Sequence, residues 1–329
     1  MSNQGIHDEY EKDSVKFFEV EDRKKSYLKY LYDLKRIYKD NKFDFIHIHV
    51  MSYSLFERIT YACKYSNANV IVHSHNGGFS RDSKYKKTIF LDKVGRLFVH
   101  RWKSKIIKAA CSQKAGEFAF KKDKFLVLDN GIDIKRFLFN KEKRLELRAE
   151  MGFKNEDFLI LLVGMFNDFK NHKFLVRVFD EYSKLNQNAK LILIGEGYLQ
   201  DEVKKQVKDL KQEKKVFFLG KRLDVNDILS MCDIYVMPSI SEGISMALIE
   251  AQVNGLKCYT SDAVDRNSDI TGNVEFIPLS DGAEEWAKRI ANTNNMRLTN
   301  NDREKVSKYD LCCTCRKAFG IYENNRSEI

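Results

Sequence analysis

Twice along the chain, short apolar runs rich in β-branched residues alternate with segments of helical spacing. The first series reads SVKFFEV (Ser14 to Val20), a helical stretch DRKKSYLKYLYDLKRIYKD, FDFIHIHV, NVIVHSH, KIIKAAC and FLVLDNG. The second opens at FLILLVG. It continues through the helix HKFLVRVFDEYSKL, KLILIG, a charged helix, VFFLG, DIYVMP, an apolar helix and KCYTSD. Strand and helix in strict alternation predict parallel sheets covered by helices, because a parallel crossover needs a helix to return the chain. Two such series predict two doubly wound α/β domains. Their boundary is expected in the charged stretch NKEKRLELRAEMGFKNED (Asn140 to Asp157). The expected division is 1–150, 151–308, and a C-terminal helix over 309–329 that crosses back to the first domain.

At 329 residues the chain has room for two ordinary domains. With 43% apolar and 32% charged residues it has the composition of a soluble globular chain. Its longest apolar run, Phe158 to Phe166, is too short to span a bilayer. The start, MSNQGIHDEYEKD, carries neither a basic nor an apolar signal region, so a cytoplasmic protein is expected. The seven cysteines fit a reducing compartment. The cluster at Cys312, Cys313 and Cys315 has no second pair at zinc spacing, so no metal site is expected there.

The net charge of +10 is concentrated. From Arg81 to Arg148 there are twenty Lys or Arg against eight Asp or Glu, a net +12 that exceeds the whole. Within this segment GRLFVHRWKSKIIK (Gly95 to Lys108) mixes Leu97, Phe98, Trp102 and Ile106 with Arg96, Arg101, Lys103, Lys105 and Lys108. A basic amphipathic stretch with aromatics suits an anionic lipid surface. Nucleic acid is the rival partner, and a solvated basic face explains the same residues without any partner.

Ligands of parallel sheets bind at the carboxyl ends of the strands. Here those ends carry HIHV, HSHNGG, DNGID, GMFNDFKN, GEGY, GKR and SISEG. Gly164, Gly195, Gly197, Gly220 and Gly243 permit close backbone approach of a ligand, though tight turns use glycine anyway. SEGIS runs straight into a helix, whose exposed N–H groups and dipole favour a phosphate. Lys170 can add a positive charge. Glu250 interrupts an apolar helix, and Glu242 lies in the turn ahead of it. An ionised carboxylate in an apolar helix either points to water along one edge or meets a partner. Sugar hydroxyls are good partners, and phosphate, ribose and a further sugar together make a nucleotide sugar.

DIYVMPSISEGISMALIEAQVNGLKCYTSD resembles the donor-binding segment of retaining nucleotide-sugar glycosyltransferases of the GT-B fold, most like bacterial capsular and exopolysaccharide enzymes. DFIHIH, VIVHSHN, ACSQKAG, VLDNGIDIKRF, KNHKFLV, LILIGEG, FLGKR, SDITGNVEFIPL and EEWAKRI follow in that family's order and extend the likeness over nearly the whole chain. The resemblance implies two Rossmann-like domains facing across a cleft. It places Glu242 beside the donor sugar, and the amides of Gly243, Ile244 and Ser245, with Lys170, at the diphosphate. Glu250 would accept the ribose hydroxyls. Gly164 and Gly195 belong to the donor loops, and Lys221 and Arg222 to the base-contacting loop. His75 matches the active-site histidine. His49 and Asn130 fall on the acceptor side, with His47 and His73 less specific because strand-end histidines also serve structure. No metal or cofactor is implied, since cations and amides take magnesium's place at the diphosphate.

Two departures stand out. The family's donor loop has an arginine where this chain has Met165, and the likeness starts after the family's first strand, glycine-rich loop and helix. The expected protein is a glycosyltransferase peripheral to the inner face of the plasma membrane. It would move a sugar, from a UDP-sugar in the first instance, to a lipid-linked saccharide with retention. The expected partners are that donor, that acceptor, an anionic membrane surface and a partner glycosyltransferase subunit, with no nucleic acid. The alternatives are a non-catalytic or degraded GT-B subunit and a GT-B sugar-nucleotide epimerase.

Overall fold

The computed structural model describes residues 15–78, 86–292, 297–298, 306–307 and 309–324. These form two compact units. One holds the described residues up to Val127 and those from Gly320 onward, and the other holds Leu128–Phe319.

In the first unit the elements are α1 (Tyr27–Asp40), β1 (Phe45–Val50), α2 (Phe56–Tyr65), β2 (Asn69–Ser74), α3 (Lys86–His100), β3 (Ile106–Ala110), α4 (Gln113–Phe120) and β4 (Leu126–Val127). The four strands are parallel and lie side by side in chain order. Helix starts follow local chemistry. Ser26 and Ser112 each accept a backbone N–H three residues on, filling a donor the first helical turn leaves open. Alternation along β1 and β2 sends Ile48, Val50, Val70 and Val72 into a core with Ile59, Val99 and Phe120. The residues between them, His47, His49 and His73, face the other way.

The predicted strand over Ser14 to Val20 does not form. Val15–Val20 is exposed and makes no ladder, and Ser14 lies outside the described residues. Phe17, Phe18 and Val20 are each more than a third exposed. The β-rich composition of this stretch therefore buys no pairing, because no neighbouring edge takes it up.

The second unit contains α5 (Ile134–Phe137), α6 (Lys141–Glu150), β5 (Phe158–Val163), α7 (His172–Leu185), β6 (Ala189–Ile194), α8 (Gln200–Asp209), β7 (Val216–Phe218), α9 (Val225–Met231), β8 (Ile234–Met237), α10 (Met246–Val253), β9 (Lys257–Ser261), β10 (Val274–Ile277) and α11 (Gly282–Ala291). Its six parallel strands run β10-β9-β8-β5-β6-β7. The strand order reverses between β5 and β8, which opens a crevice at their carboxyl ends. β5 is buried almost throughout, as a central parallel strand covered on both faces must be. The last helix, α12 (Leu311–Asn324), gives its first residues to this unit and those from Gly320 to the other.

The boundary differs from the expected one. Residues 128–150 pack with the second unit, and 309–319 do as well. Arg144 Nη2 and Arg148 Nη2 bond the two Asp233 oxygens at 2.5 and 2.8 Å, and Leu159 N donates to the same carboxylate. Asn254 Nδ2 donates to Phe137 O, and Ile132 N to Tyr309 O. The charged stretch read as a linker is thus a helix fastened by ion pairs.

Candidate functional site

The two loops at the strand reversal carry the residues singled out from the sequence. The loop after β5 runs from Gly164 to Asn171, and the loop after β8 from Pro238 to Ser245. They are tied together: Ile240 N donates to Phe169 O at 2.8 Å, and Lys170 Nζ pairs with Glu242 Oε2 at 2.8 Å. Asn167 Oδ1 accepts from Lys170 N and shapes the first loop, while Phe166 locks it by stacking on His172 with ring centroids 4.0 Å apart. Burial, then the Lys170 charge, pushes His172 down to about 4, so it packs there as a neutral ring.

Two glycines make this geometry possible. A Cβ at Gly164 would crowd the Lys170 stem at 3.2 Å. Gly195 has φ +132°, and a Cβ there would sit 2.1 Å from Gly164 O, so only glycine fits. Gly195 N bonds Gly220 O at 2.8 Å, which brings the loop of Lys221 and Arg222 alongside. Lys221 pairs with Glu196 at 3.6 Å, while Arg222 turns to Asp224, which it grips through two nitrogens.

The second loop feeds α10. Ser245 occupies the cap position but makes no capping bond. Its buried hydroxyl turns instead to Met237 Sδ at 3.5 Å, and the first amides of α10 are left without a side-chain cap. A Cβ at Gly243 would meet nothing within 4 Å, so the glycine opens space rather than relieving a clash. The loop is propped from behind by Asp265 N on Glu242 O and by Ser268 Oγ on Gly243 O, while Ile244 packs against Ile132, Ile249 and Tyr309. Helix amides without a side-chain cap are donors that suit an anionic group.

Glu250, the fifth residue of α10 and little more than one turn in, is half-buried. Burial raises its carboxyl above the usual range, and only the Arg136 charge opposes the rise. Arg136 is itself held by Leu223 O at 2.8 Å. A desolvated carboxylate is improved by hydroxyl donors from a ligand. Met165, at the family's arginine position, is 59% exposed.

In the first unit the histidines gather on one sheet face. His49 Nδ1 lies 2.7 Å from His75 Nε2, and His47 Nε2 lies 3.2 Å from His73 Nδ1. Burial, then the neighbouring His49 and His75 rings, push His47 down to about 4, and burial lowers His49 as well. Tyr322, near the end of α12, bonds His47 Nδ1 at 2.9 Å. Sequence inspection missed Tyr322 and Arg136, because no local pattern links them to residues so far away along the chain. Asn130, expected on the acceptor side, belongs to the second unit, where the adjacent Asp129 O accepts from Thr314 Oγ1 and Asp129 pairs with Lys317.

A cavity of about 590 Å³ opens on the basic segment of the first unit. It is lined by apolar Leu97, Ile106 and Phe120 and by Lys103, Lys108 and Lys121. Phe90, Leu97 and Phe98 are exposed nearby. No helix among the described residues is long and apolar enough to cross a membrane.

Comparison with known proteins gives three kinds of likeness. The sequence pattern of the glycosyl transferases group 1 matches residues 143–310, and that of the glycosyl transferase 4-like domain matches residues 1–116. EpsF of Bacillus subtilis is 30% identical over 227 residues, which cover 67% of this chain and 58% of EpsF, so the likeness spans somewhat over half of that relative. The UDP-Gal:alpha-D-GlcNAc-diphosphoundecaprenol alpha-1,3-galactosyltransferase of Escherichia coli is 26% identical over 77% of this chain and 67% of its own. Among solved structures, Anabaena HepE in complex with UDP-glucose superposes with a TM-score of 0.77 at 17% identity, over 98% of this chain and 89% of that one. This last likeness is one of fold.

Proposed function

Since the chain belongs to the group 1 glycosyltransferases, with two parallel-sheet domains of the GT-B fold, we propose that it transfers a hexosyl group from a UDP-sugar to a lipid-linked saccharide, with retention, in the making of a surface polysaccharide. The observation that carries this is the α10 terminus: uncapped amides, the Lys170–Glu242 pair just ahead of them, and the half-buried Glu250 about one turn on. A relative named for an undecaprenol-linked acceptor, and a fold neighbour holding UDP-glucose, support the choice of substrates.

In this proposal the donor diphosphate lies on the amides of Ile244 to Met246, with Lys170 sharing its charge between phosphate and Glu242. As the bond from sugar to diphosphate breaks, negative charge grows on the leaving oxygen. Fixed positive groups stabilise that charge without reorganising. Those groups belong to the protein, so the proposal calls for no metal at the diphosphate. Glu250 takes the ribose hydroxyls and Glu242 the transferred sugar. His75, steadied by His49, serves the acceptor side. The exposed Phe90, Leu97 and Phe98 among lysines would rest the first unit on anionic lipid, where such an acceptor is anchored.

Calorimetry with UDP and UDP-sugars tests the assignment. Glu250→Gln should weaken both ligand types by roughly 1.5–3 kcal/mol, the worth of hydrogen bonds to a charged group. Glu242→Gln should spare UDP and weaken only the UDP-sugar or its turnover. If Glu250→Gln binds UDP as the parent does, the donor assignment of α10 is wrong. Met165 favours a second reading, a GT-B subunit that binds donor without transferring it; binding without turnover in the same experiment would identify it.

A further inference from the structure

Three histidines of the first sheet also satisfy the geometry of a metal-ligand set. β1 and β2 pair in parallel with His49 opposite His73, and His47 lies two residues before His49 on the same face. Each can offer one ring nitrogen, and the three offered atoms lie within 4.8 Å of one another. The tightest pair, His47 Nε2 and His73 Nδ1, is 3.2 Å apart. Two imidazole nitrogens bound at about 2.0–2.1 Å to one tetrahedral ion stand about 3.3–3.4 Å apart, so this edge already has the required length.

The outer contacts fit as well. Ligand histidines generally give their other ring nitrogen to a hydrogen-bond partner, which sets the tautomer. His47 meets Tyr322 OH through Nδ1 at 2.9 Å, which leaves Nε2 facing His73. His49 meets His75 through Nδ1 at 2.7 Å.

We propose that His47, His49 and His73 bind one divalent transition ion of the zinc class, with a fourth position open to water or an anionic group. Uncharged imidazoles suit zinc, cobalt, nickel or copper and do not suit magnesium or calcium. The ion keeps its full double charge at this sheet edge and holds His49, the partner of His75. Its occupancy is therefore a control point on the histidine face. The inference rests on the histidine geometry of the first unit and is independent of the donor assignment.

Titration of the metal-stripped full chain with Co²⁺, followed by visible absorption, tests it. The expected result is one Co²⁺ per chain with a low-coordinate spectrum and no thiolate charge-transfer band, displaced by Zn²⁺ and unaffected by excess Mg²⁺. His47→Gln should abolish stoichiometric binding, and Tyr322→Phe should weaken it by roughly 10-fold or more. His73 is buried, so the exposed His49→Gln supplies the same readout should His73→Gln lower the melting temperature. Absence of a stoichiometric spectrum, or unchanged affinity in His47→Gln, overturns the site. A thiolate band also overturns it, by placing the ion on the exposed Cys312 and Cys315. Glu250→Gln should leave Co²⁺ affinity unchanged, so failure here and failure of the donor assignment are told apart.

Discussion

Glu250 is held in conflict. Burial raises its carboxyl above the usual carboxylate range, yet the proposed ribose contact needs it ionised. In the folded chain it binds its proton more readily than when unfolded. Its contribution to stability is therefore present below the unfolded value and lost as pH rises through the folded one. At neutral pH the ionised form is a cost, so Glu250→Gln should raise the melting temperature of the ligand-free protein while weakening UDP. The difference in UDP affinity between parent and variant should shrink as pH falls through the raised value, and a difference that stays constant to low pH would separate Glu250 from the ligand. Met165 makes a complementary case. Its side chain is exposed beside the donor loop, where the family carries an arginine. Losing one preorganised donor to a developing anion costs about 3–4 kcal/mol in other enzymes. Met165→Arg should accordingly raise transfer or donor hydrolysis; a slower variant would show that the loop is already complete.

At the scale of elements, α6 illustrates how a charged segment becomes structural. Asp233, at the entry to β8, takes Arg144, Arg148 and the Leu159 amide at once. The Arg148 side chain is only 3% exposed, so removing its partner leaves a charge that water cannot reach. Breaking such a pair costs about 3–5 kcal/mol, and Asp233→Ala should lower the urea stability of the second unit by that order. A loss below 1 kcal/mol would mean that the arginine carbonyl contacts, such as Arg148 to Lys154 O, suffice alone. The α10 helix shows the opposite design. Its terminal amides are left without a side-chain cap, at the place where the proposal puts the diphosphate.

At the scale of the molecule, positive charge gathers in one segment. The net +12 of Arg81 to Arg148 exceeds the whole chain's +10. Arg101, Lys103 and Lys105 are exposed, close along the chain to the exposed Leu97 and Phe98. Each basic residue near an anionic bilayer contributes about 1 kcal/mol, screened over about 8 Å at physiological salt. The chain should co-sediment with anionic vesicles, release as salt rises, and ignore neutral vesicles. Leu97→Ser with Phe98→Ser should weaken the salt-resistant part. Equal binding to both vesicle types would remove charge as the cause.

Much of this was legible in the sequence, for a physical reason. Strand and helix periodicity, the glycine turns and the SEGIS stretch are properties of neighbouring residues, so the α/β class and the loops at the strand ends could be read directly. Gly195 is the clearest instance, since its turn admits no other residue. What the sequence could not supply depends on which distant segments meet. Lys170 reaches Glu242 only because β5 and β8 are adjacent at the strand reversal. The Arg136 charge acts on Glu250, and Tyr322 finds His47 across most of the chain's length. The charged stretch from Asn140 to Asp157 was expected to hold the boundary, and the ion pairs of Arg144 and Arg148 with Asp233 made it part of the second unit. The four histidines looked like separate strand ends until the β1–β2 register laid them side by side. Local pattern selected the elements; burial and register, which are set only when the whole core closes, selected the partners.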